Sequence, residues 1–345
     1  MRLRLSPLTL TLREPLITSF ATITTRDLLV VALHDSDGRV GVAEAAPFEP
    51  YDGVSLAEVE AQLRGLESAL ADCDGASLET LVELARSHCD LPQARSAIDT
   101  AAWDLEGQRT GRSVFDLLGA TGSGKVSLNA TIGASDPALA ARAATAAVED
   151  GFTCLKVKVG DGGDLARLQA VRSAVGPEVA IRIDANGAWD LDQAIAALEL
   201  MAPLGIELCE EPVHGLQQLR QVREGSPAIP IAMDETAATA GALGSGATDL
   251  VCLKLTRCGG ISGLIDAAAE VRASGAQIYL ASTLDGPAGI AASLQVAAAL
   301  GPLVPCGLAT LALFEQGEVP APLVDGAIVI STGPGLGLSG PAAQS

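Results

Sequence analysis

After position 122 the chain settles into one rhythm. Short runs of β-forming apolar residues recur roughly every 25 residues, separated by segments with helical periodicity. The runs occupy 127–132, 154–159, 180–184, 206–210, 229–234, 250–255, 278–282 and, more weakly, 305–309. Between them, Leu191, Ala194, Ile195, Leu198 and Met201 mark one apolar helix face, and Leu264, Ala267, Ala268 and Val271 another. Strands alternating with helices lie parallel, because each crossover returns the chain to the end where the previous strand began. Eight such units predict a (β/α) barrel. The competing open doubly wound sheet needs a glycine-rich phosphate turn after its first strand, and the sequence has none.

The first 122 residues follow another pattern. Leu3, Leu5 and Leu8, the run at 28–33, the turn Ser36-Asp37-Gly38 and the run at 40–43 predict a β meander or hairpin. Residues 55–72, 78–88 and 92–109 read as helices, the last with Ala94, Ile98, Ala101 and Leu105 on one face. This predicts an α+β unit over 1–122, ending in a stretch of small residues, then a barrel over 123–314. The tail, 315–345, leaves the period and is expected to fold back on the first unit. A length of 345 residues suits a barrel plus a smaller domain.

Composition narrows the function classes. Hydrophobic residues make up 48% of the chain but aromatics only 3%, which suits buried parallel strands under alanine-rich helices. No apolar run is long enough to span a bilayer, and the first residues alternate like a strand, so a cytoplasmic location without membrane contact is expected. A net charge of −20 with no basic stripe excludes nucleic acid as a partner. It also repels anions, so a carboxylate substrate would need a local cation at its site. Seven scattered cysteines without ligand spacing read as free thiols in a reducing compartment. The sequence leaves a homo-oligomer open.

Functional groups of a barrel gather at the C-terminal ends of its strands. Here those ends carry Lys156 and Lys158, Asp184 and Asn186, Glu210 and Glu211, Asp234 and Glu235, and Lys254. Charges brought together in a barrel mouth must neutralise one another or hold a metal. Asp184, Glu210 and Asp234 stand on three consecutive strands and present three hard oxygen ligands, which suits one Mg²⁺, with Mn²⁺ as a substitute. Any one of these acids alone would read as a helix cap. Lys156 and Lys158 share a strand face, about 6–7 Å apart. Their repulsion, roughly 2.5 kcal/mol at an effective dielectric near 20, is expected to lower one lysine by about two pKa units and make it a base. Lys254 lies across the barrel. A metal on a substrate carboxylate and a lysine on either side would support removal of the adjacent proton through an enediolate. The alternatives are that the lysines only pair with the acids, or that the barrel is a non-enzymatic, metal-dependent binder of anions.

At these residues the sequence resembles the enolase superfamily and, within it, the muconate-lactonizing-enzyme subgroup. The resemblance runs through Ala97-Ile98-Asp99, Trp103-Asp104-Leu105, Lys156-Val157-Lys158, Asp184-Ala185-Asn186-Gly187, Glu210-Glu211-Pro212, Asp234-Glu235 and Lys254-Leu255 with Gly259-Gly260. It implies an α+β N-terminal capping domain on a modified (β/α)₇β TIM-like barrel. It implies that Lys158 and Lys254 are the facing catalytic lysines, that Lys156 supports Lys158, and that Asp184, Glu210 and Asp234 hold Mg²⁺. Asn129-Ala130-Thr131-Ile132, the segment Ser282 to Asp285, and Leu308-Ala309-Thr310 are similar to o-succinylbenzoate synthases of menaquinone biosynthesis. Dipeptide epimerases usually carry an Asp-x-Asp on the eighth strand, and this chain has no acid there, although Ala43-Glu44-Ala45-Ala46-Pro47 looks at least as much like those epimerases. The resemblance therefore implies syn dehydration to o-succinylbenzoate, with dipeptide epimerisation or N-acylamino acid racemisation as the alternative. Substrate contacts are expected from the cap loops, Phe20, Thr25, Arg26, Phe48 and Tyr51, and from the barrel residues Asn129, Asn186, Ser282, Asp285, Leu308 and Thr310.

Overall fold

The computed structural model describes residues 1–17, 22–301, 304–317 and 323–338. The chain opens with strands β1 (Arg2–Ile17), β2 (Thr22–His34) and β3 (Val40–Ala45), an antiparallel sheet in the order β1-β2-β3. Helices Leu56–Gly65, Leu78–His88 and Pro92–Thr110 cover one face of it. Ser55 starts the first with a reciprocal capping box to Glu58, and Gly111 ends the third with φ +70°. Leu29, Val31 and Leu33 of β2 pack with Val59, Leu63, Leu81, Ala94 and Ile98 in a core of their own.

Next come β4 (Lys125–Ser127), β5 (Ala130–Ile132), β6 (Cys154–Lys158), β7 (Ala180–Asp184), β8 (Ile206–Glu210), β9 (Ile231–Met233), β10 (Leu250–Leu253), β11 (Gln277–Leu280) and, in the tail, β12 (Ala327–Val329). Strands β5 to β11 form one seven-stranded sheet in sequence order, and every pairing in it is parallel. Two parallel bridges join its edges, Leu128 to Cys306 and Ala281 to Gly307. The eighth run is thus a closing segment and not a full strand: Pro305 has no N–H to extend the ladder. The first run, expected to be continuous, splits into β4 and β5. The crossover from β9 to β10 is also irregular, with a 3₁₀ turn at Glu235–Ala238 where the other crossovers carry helices. Within the described residues no helix is long and apolar enough to cross a membrane.

The first unit is stitched to the barrel by polar groups of its long helix. Asp99 accepts the Ser262 N–H at 3.0 Å, and Trp103 Nε1 donates to the Ser262 hydroxyl at 2.9 Å. Gly260 at φ +103° permits this approach, since a Cβ there would lie 2.4 Å from the Asp99 carboxylate. Asp104 accepts from Val42 N and from Leu336 N in the tail, so one carboxylate ties the sheet, the helix and the tail together. The tail also pairs β12 with β4, next to the barrel closure.

Glu44 makes a second tie. It reaches from β3 into the first turn of helix Pro287–Leu300, where it accepts the Ala288 N–H at 3.2 Å. Burial, followed by the neighbouring Asp285, pushes Glu44 up to about 8. Burial likewise pushes Asp285 up to about 6, against the opposing pull of Arg26. Both acids therefore hold protons that the unfolded chain releases near its ordinary carboxylate pKa. Their stability is full below that range and lost as pH rises through 6 to 8. Between pH 5 and 8.5 the loss through these two acids should be about 5 kcal/mol, about 4 of it from Glu44. In thermal melts Glu44→Gln should remove the Glu44 share. A wild-type melting temperature independent of pH over this range would contradict the assignment.

Candidate active site

The barrel mouth collects the strand-end charges. Lys158 faces Asp184 directly across the β6–β7 register, and Asp184 faces Glu210 across β7–β8. Because side chains two apart in a strand share a face, Lys156 and Lys158 both point inward. Lys156 Nζ lies between two carboxylates, 2.8 Å from Asp184 Oδ2 and 2.7 Å from Glu210 Oε1. Lys158 Nζ donates to Asp184 Oδ2 at 2.6 Å and Asn186 Oδ1 at 2.7 Å. Across the barrel, Lys254 Nζ donates to Asp234 Oδ2 and to the Tyr51 hydroxyl, both at 2.7 Å.

At Lys156, attraction to the acids outweighs the repulsion expected within the lysine pair. Burial does push Lys156 down, but Asp184 and Glu210 together outweigh it and hold this lysine well above its ordinary value. Lys254 is held well above too, where Asp234 and Tyr51 outweigh burial. Attraction wins because each ammonium touches a carboxylate, whereas the two lysines of β6 are a side-chain repeat apart. Among the acids, burial opposes ionisation everywhere. Lys156 and Lys158 nonetheless hold Asp184 below the usual carboxylate range, and Lys254 with Arg257 holds Asp234 below it. Burial keeps Glu210 above its ordinary value despite Lys156.

These groups open onto a cavity of about 330 Å³. Lys156, Lys158, Asp184, Asn186, Asp234, Lys254, Ser282 and Thr310 line it, and Phe48 and Tyr51 close it from the first unit. The Ser282 and Thr310 hydroxyls are hydrogen-bonded at 2.6 Å. Two mouth residues, Asn186 (φ +46°) and Glu211 (φ +38°), sit in the left-handed region, a strain that packed functional sites retain. The structure does not bring five of the expected contacts to this cavity. Arg26 is buried, donates to the Pro47, Ala46 and Thr283 carbonyls, and stacks 4.6 Å over the Phe48 ring. Asp285 is fully buried beside it. Leu308 belongs to the apolar core, Asn129 lies buried in the wall near Gly307, and Thr25 is on the exposed face of β2. Leu16 and Ile23 line the cavity where Thr25 and Arg26 were expected. Phe20 lies outside the described residues.

Three participants went unrecognised. Arg257, three residues after Lys254, donates to the Tyr51 hydroxyl at 2.7 Å and the Glu235 carbonyl at 2.8 Å. Tyr279 on β11 donates to Glu210 Oε2 at 2.6 Å. Cys252 Sγ lies within 4.8 Å of carboxylate oxygens of Glu210 and Asp234. Only the position of Cys252, two before Lys254 and so on the same strand face, was a signal available in advance. The donor chemistry fits a hard divalent cation: Asp184, Glu210 and Asp234 are buried carboxylates on neighbouring strands, and a thiol is a poor ligand for Mg²⁺.

Two family models match the chain, "Mandelate racemase / muconate lactonizing enzyme, N-terminal domain" over residues 3–119 and "Enolase C-terminal domain-like" over 138–341. An L-Ala-D/L-Glu epimerase of Clostridium acetobutylicum is 30% identical over 351 residues, covering 96% of each chain. An o-succinylbenzoate synthase of Thermobifida fusca is 37% identical over 210 residues, 58% of this chain and 64% of that one. The crystal structure of a dipeptide epimerase from Enterococcus faecalis, complexed with Mg and the dipeptide L-Leu-L-Tyr, superposes with a TM-score of 0.89 at 27% identity, covering 98% of this chain and 99% of that one. With both domain models matched in order and the barrel mouth assembled as described, the chain belongs to the mandelate racemase/muconate lactonizing enzyme family, in the muconate-lactonizing subgroup of the enolase superfamily.

Proposed function

We propose that this chain is a cytoplasmic, Mg²⁺-dependent o-succinylbenzoate synthase that dehydrates a hydroxylated cyclohexadiene carboxylate. In this reading 1–122, completed by the tail 315–345, is the substrate-selecting cap, and 123–314 is the catalytic barrel. Asp184, Glu210 and Asp234 hold the ion, Mg²⁺ or Mn²⁺. When bound, it stabilises the negative charge that develops on the substrate carboxylate. Lys158 takes the adjacent proton, with its Nζ aimed by Asp184 and Asn186. Lys156 holds the Asp184 and Glu210 carboxylates in place. Lys254, fixed by Asp234 and Tyr51, presents positive charge to the opposite face. Syn geometry places the departing hydroxyl on the face that lost the proton, so protonated Lys158 returns that proton and water leaves. Leu16, Ile23 and Phe48 exclude solvent from this step.

One observation carries the dehydration reading. Among the described residues the acids lining the cavity are Asp161, Asp184 and Asp234; the last two are assigned to the metal, and Asp161 is paired with Arg167. Among the described residues a dipeptide ammonium has no uncommitted carboxylate in the cavity to meet. The second reading, 1,1-proton transfer on an N-acylamino acid or a dipeptide with Lys254 as second base, is favoured by the epimerases among the relatives. A barrel that merely binds anions would need one cation, whereas lysines stand on both faces.

Turnover in D₂O separates these readings. Dehydration yields o-succinylbenzoate and no isomerised acid. Epimerisation yields an inverted centre carrying deuterium, and that result with no dehydration would defeat the proposal. Thorough chelation should lower kcat/KM by about 10³-fold or more, with recovery on adding Mg²⁺. Undiminished turnover after chelation would remove the metal from the reading.

A further inference from the structure

Cys252 is absent from every step above, yet it stands at the centre of the charged cluster. One ligand atom each of Glu210, Asp234 and Cys252 lies within 4.8 Å of the other two, and all three residues are buried. The thiol takes part in no hydrogen bond among the described residues. It lies on the same strand face as Lys254, one step nearer the barrel floor. Glu210 and Asp234 therefore belong to two overlapping ligand sets. In the reading above one is completed by Asp184; the other, whose ligand atoms lie within 4.8 Å of one another, is completed by the Cys252 sulfur.

We propose that Glu210, Asp234 and Cys252 form a second metal site that takes a thiophilic divalent ion, Zn²⁺ or Cd²⁺, in competition with the ion held by Asp184, Glu210 and Asp234. This rests on the reading of those three carboxylates as the Mg²⁺ ligands. Hard Mg²⁺ keeps to oxygen and octahedral geometry, so it selects Asp184. Zn²⁺ and Cd²⁺ accept thiolate and tolerate four ligands, so they select Cys252. The bond forms as the thiol releases its proton to solvent, with no change of oxidation state. Since Glu210 and Asp234 are shared, the two ions compete for the same carboxylates. The soft ion moves from the Lys158 side of the cavity toward β10. Thiophilic ions would thereby hold the enzyme in an inactive state that excess Mg²⁺ reverses.

The test is a Cd²⁺ titration of the full chain, read by the ultraviolet thiolate-to-cadmium charge-transfer band. The wild type should develop the band at one equivalent, and excess Mg²⁺ should remove it. Cys252→Ser should lose the band and bind Cd²⁺ at least tenfold more weakly. Glu210→Gln, which retains all seven cysteines, should lose it too, so the result does not hang on one variant's folding. A band that persists in folded Cys252→Ser, or one that Mg²⁺ does not displace, overturns the inference. If Mg²⁺ supports turnover but wild type gives no band, only the sulfur site falls. If Mg²⁺ neither supports turnover nor displaces Cd²⁺, the carboxylate assignment falls with it.

Discussion

Lys158→Ala is expected to lower kcat by about 10³–10⁴-fold, the upper range for loss of a positioned proton-transfer group, with little change in folding. The expectation follows from where the two lysines of β6 sit. The Lys158 side chain is 34% exposed in the cavity, while that of Lys156 is 14% exposed and held between Asp184 and Glu210. Lys158 alone has a free approach to a substrate, and it is aimed by two oxygens that leave one N–H direction open. Lys156→Ala should behave differently: it releases two buried carboxylates from their shared cation, so the Mg²⁺ concentration needed for half-maximal rate should shift by more than kcat per loaded site. Steady-state rates over a Mg²⁺ titration separate the two. A Lys158→Ala enzyme within tenfold of wild type would assign proton transfer to another group.

Much of this site could be read before any coordinates, because a strand fixes where along the barrel a side chain lies. The ends of β6, β7 and β8 and the positions of Lys156, Lys158, Asp184 and Glu210 follow from the apolar runs that precede them. What the runs do not fix is which neighbour a side chain meets. Asp285 and Arg26 look like mouth residues by position, yet Asp285, on the loop after β11, and Arg26, on β2, are buried together in the wall beside Glu44. The raised value of Lys156 is not legible for the same reason, since its two contacting carboxylates come from other strands. Tyr51 touches Lys254 from 203 positions away. Such contacts depend on how the first unit seats on the barrel, and local periodicity carries no information about that.

Arg182 shows how far this hidden layer extends, and it supports the substitution with the largest expected effect on stability. It sits two residues before Asp184 on β7, so it also points into the barrel, one layer below the carboxylates. Its side chain is 1% exposed. Nε donates to Glu207 on β8, Nη1 donates to the Pro305 carbonyl of the closing segment, and the guanidinium lies 5.5 Å from the Tyr279 ring centroid. One cation thus links β7, β8, β11 and the segment that completes the barrel. Arg182→Ala leaves a cavity beside the Tyr279 ring and a bare Pro305 carbonyl. It should destabilise the protein by about 3–5 kcal/mol. For a chain of this size the melting temperature should fall by roughly 4–7 °C. Arg182→Met fills the space, and Glu207 can turn to water because a third of its side chain is already exposed. Methionine should therefore recover most of the loss. Function should follow the same path: without the guanidinium beneath it, the Tyr279 ring loses the support that aims its hydroxyl at Glu210. The apparent Mg²⁺ affinity should then weaken in Arg182→Ala by about tenfold, the scale of a lost support to a metal ligand. Equal Mg²⁺ affinity in destabilised Arg182→Ala would confine the residue to barrel closure. A melting temperature within a degree of wild type would show that the closing segment is held by its backbone bridges alone.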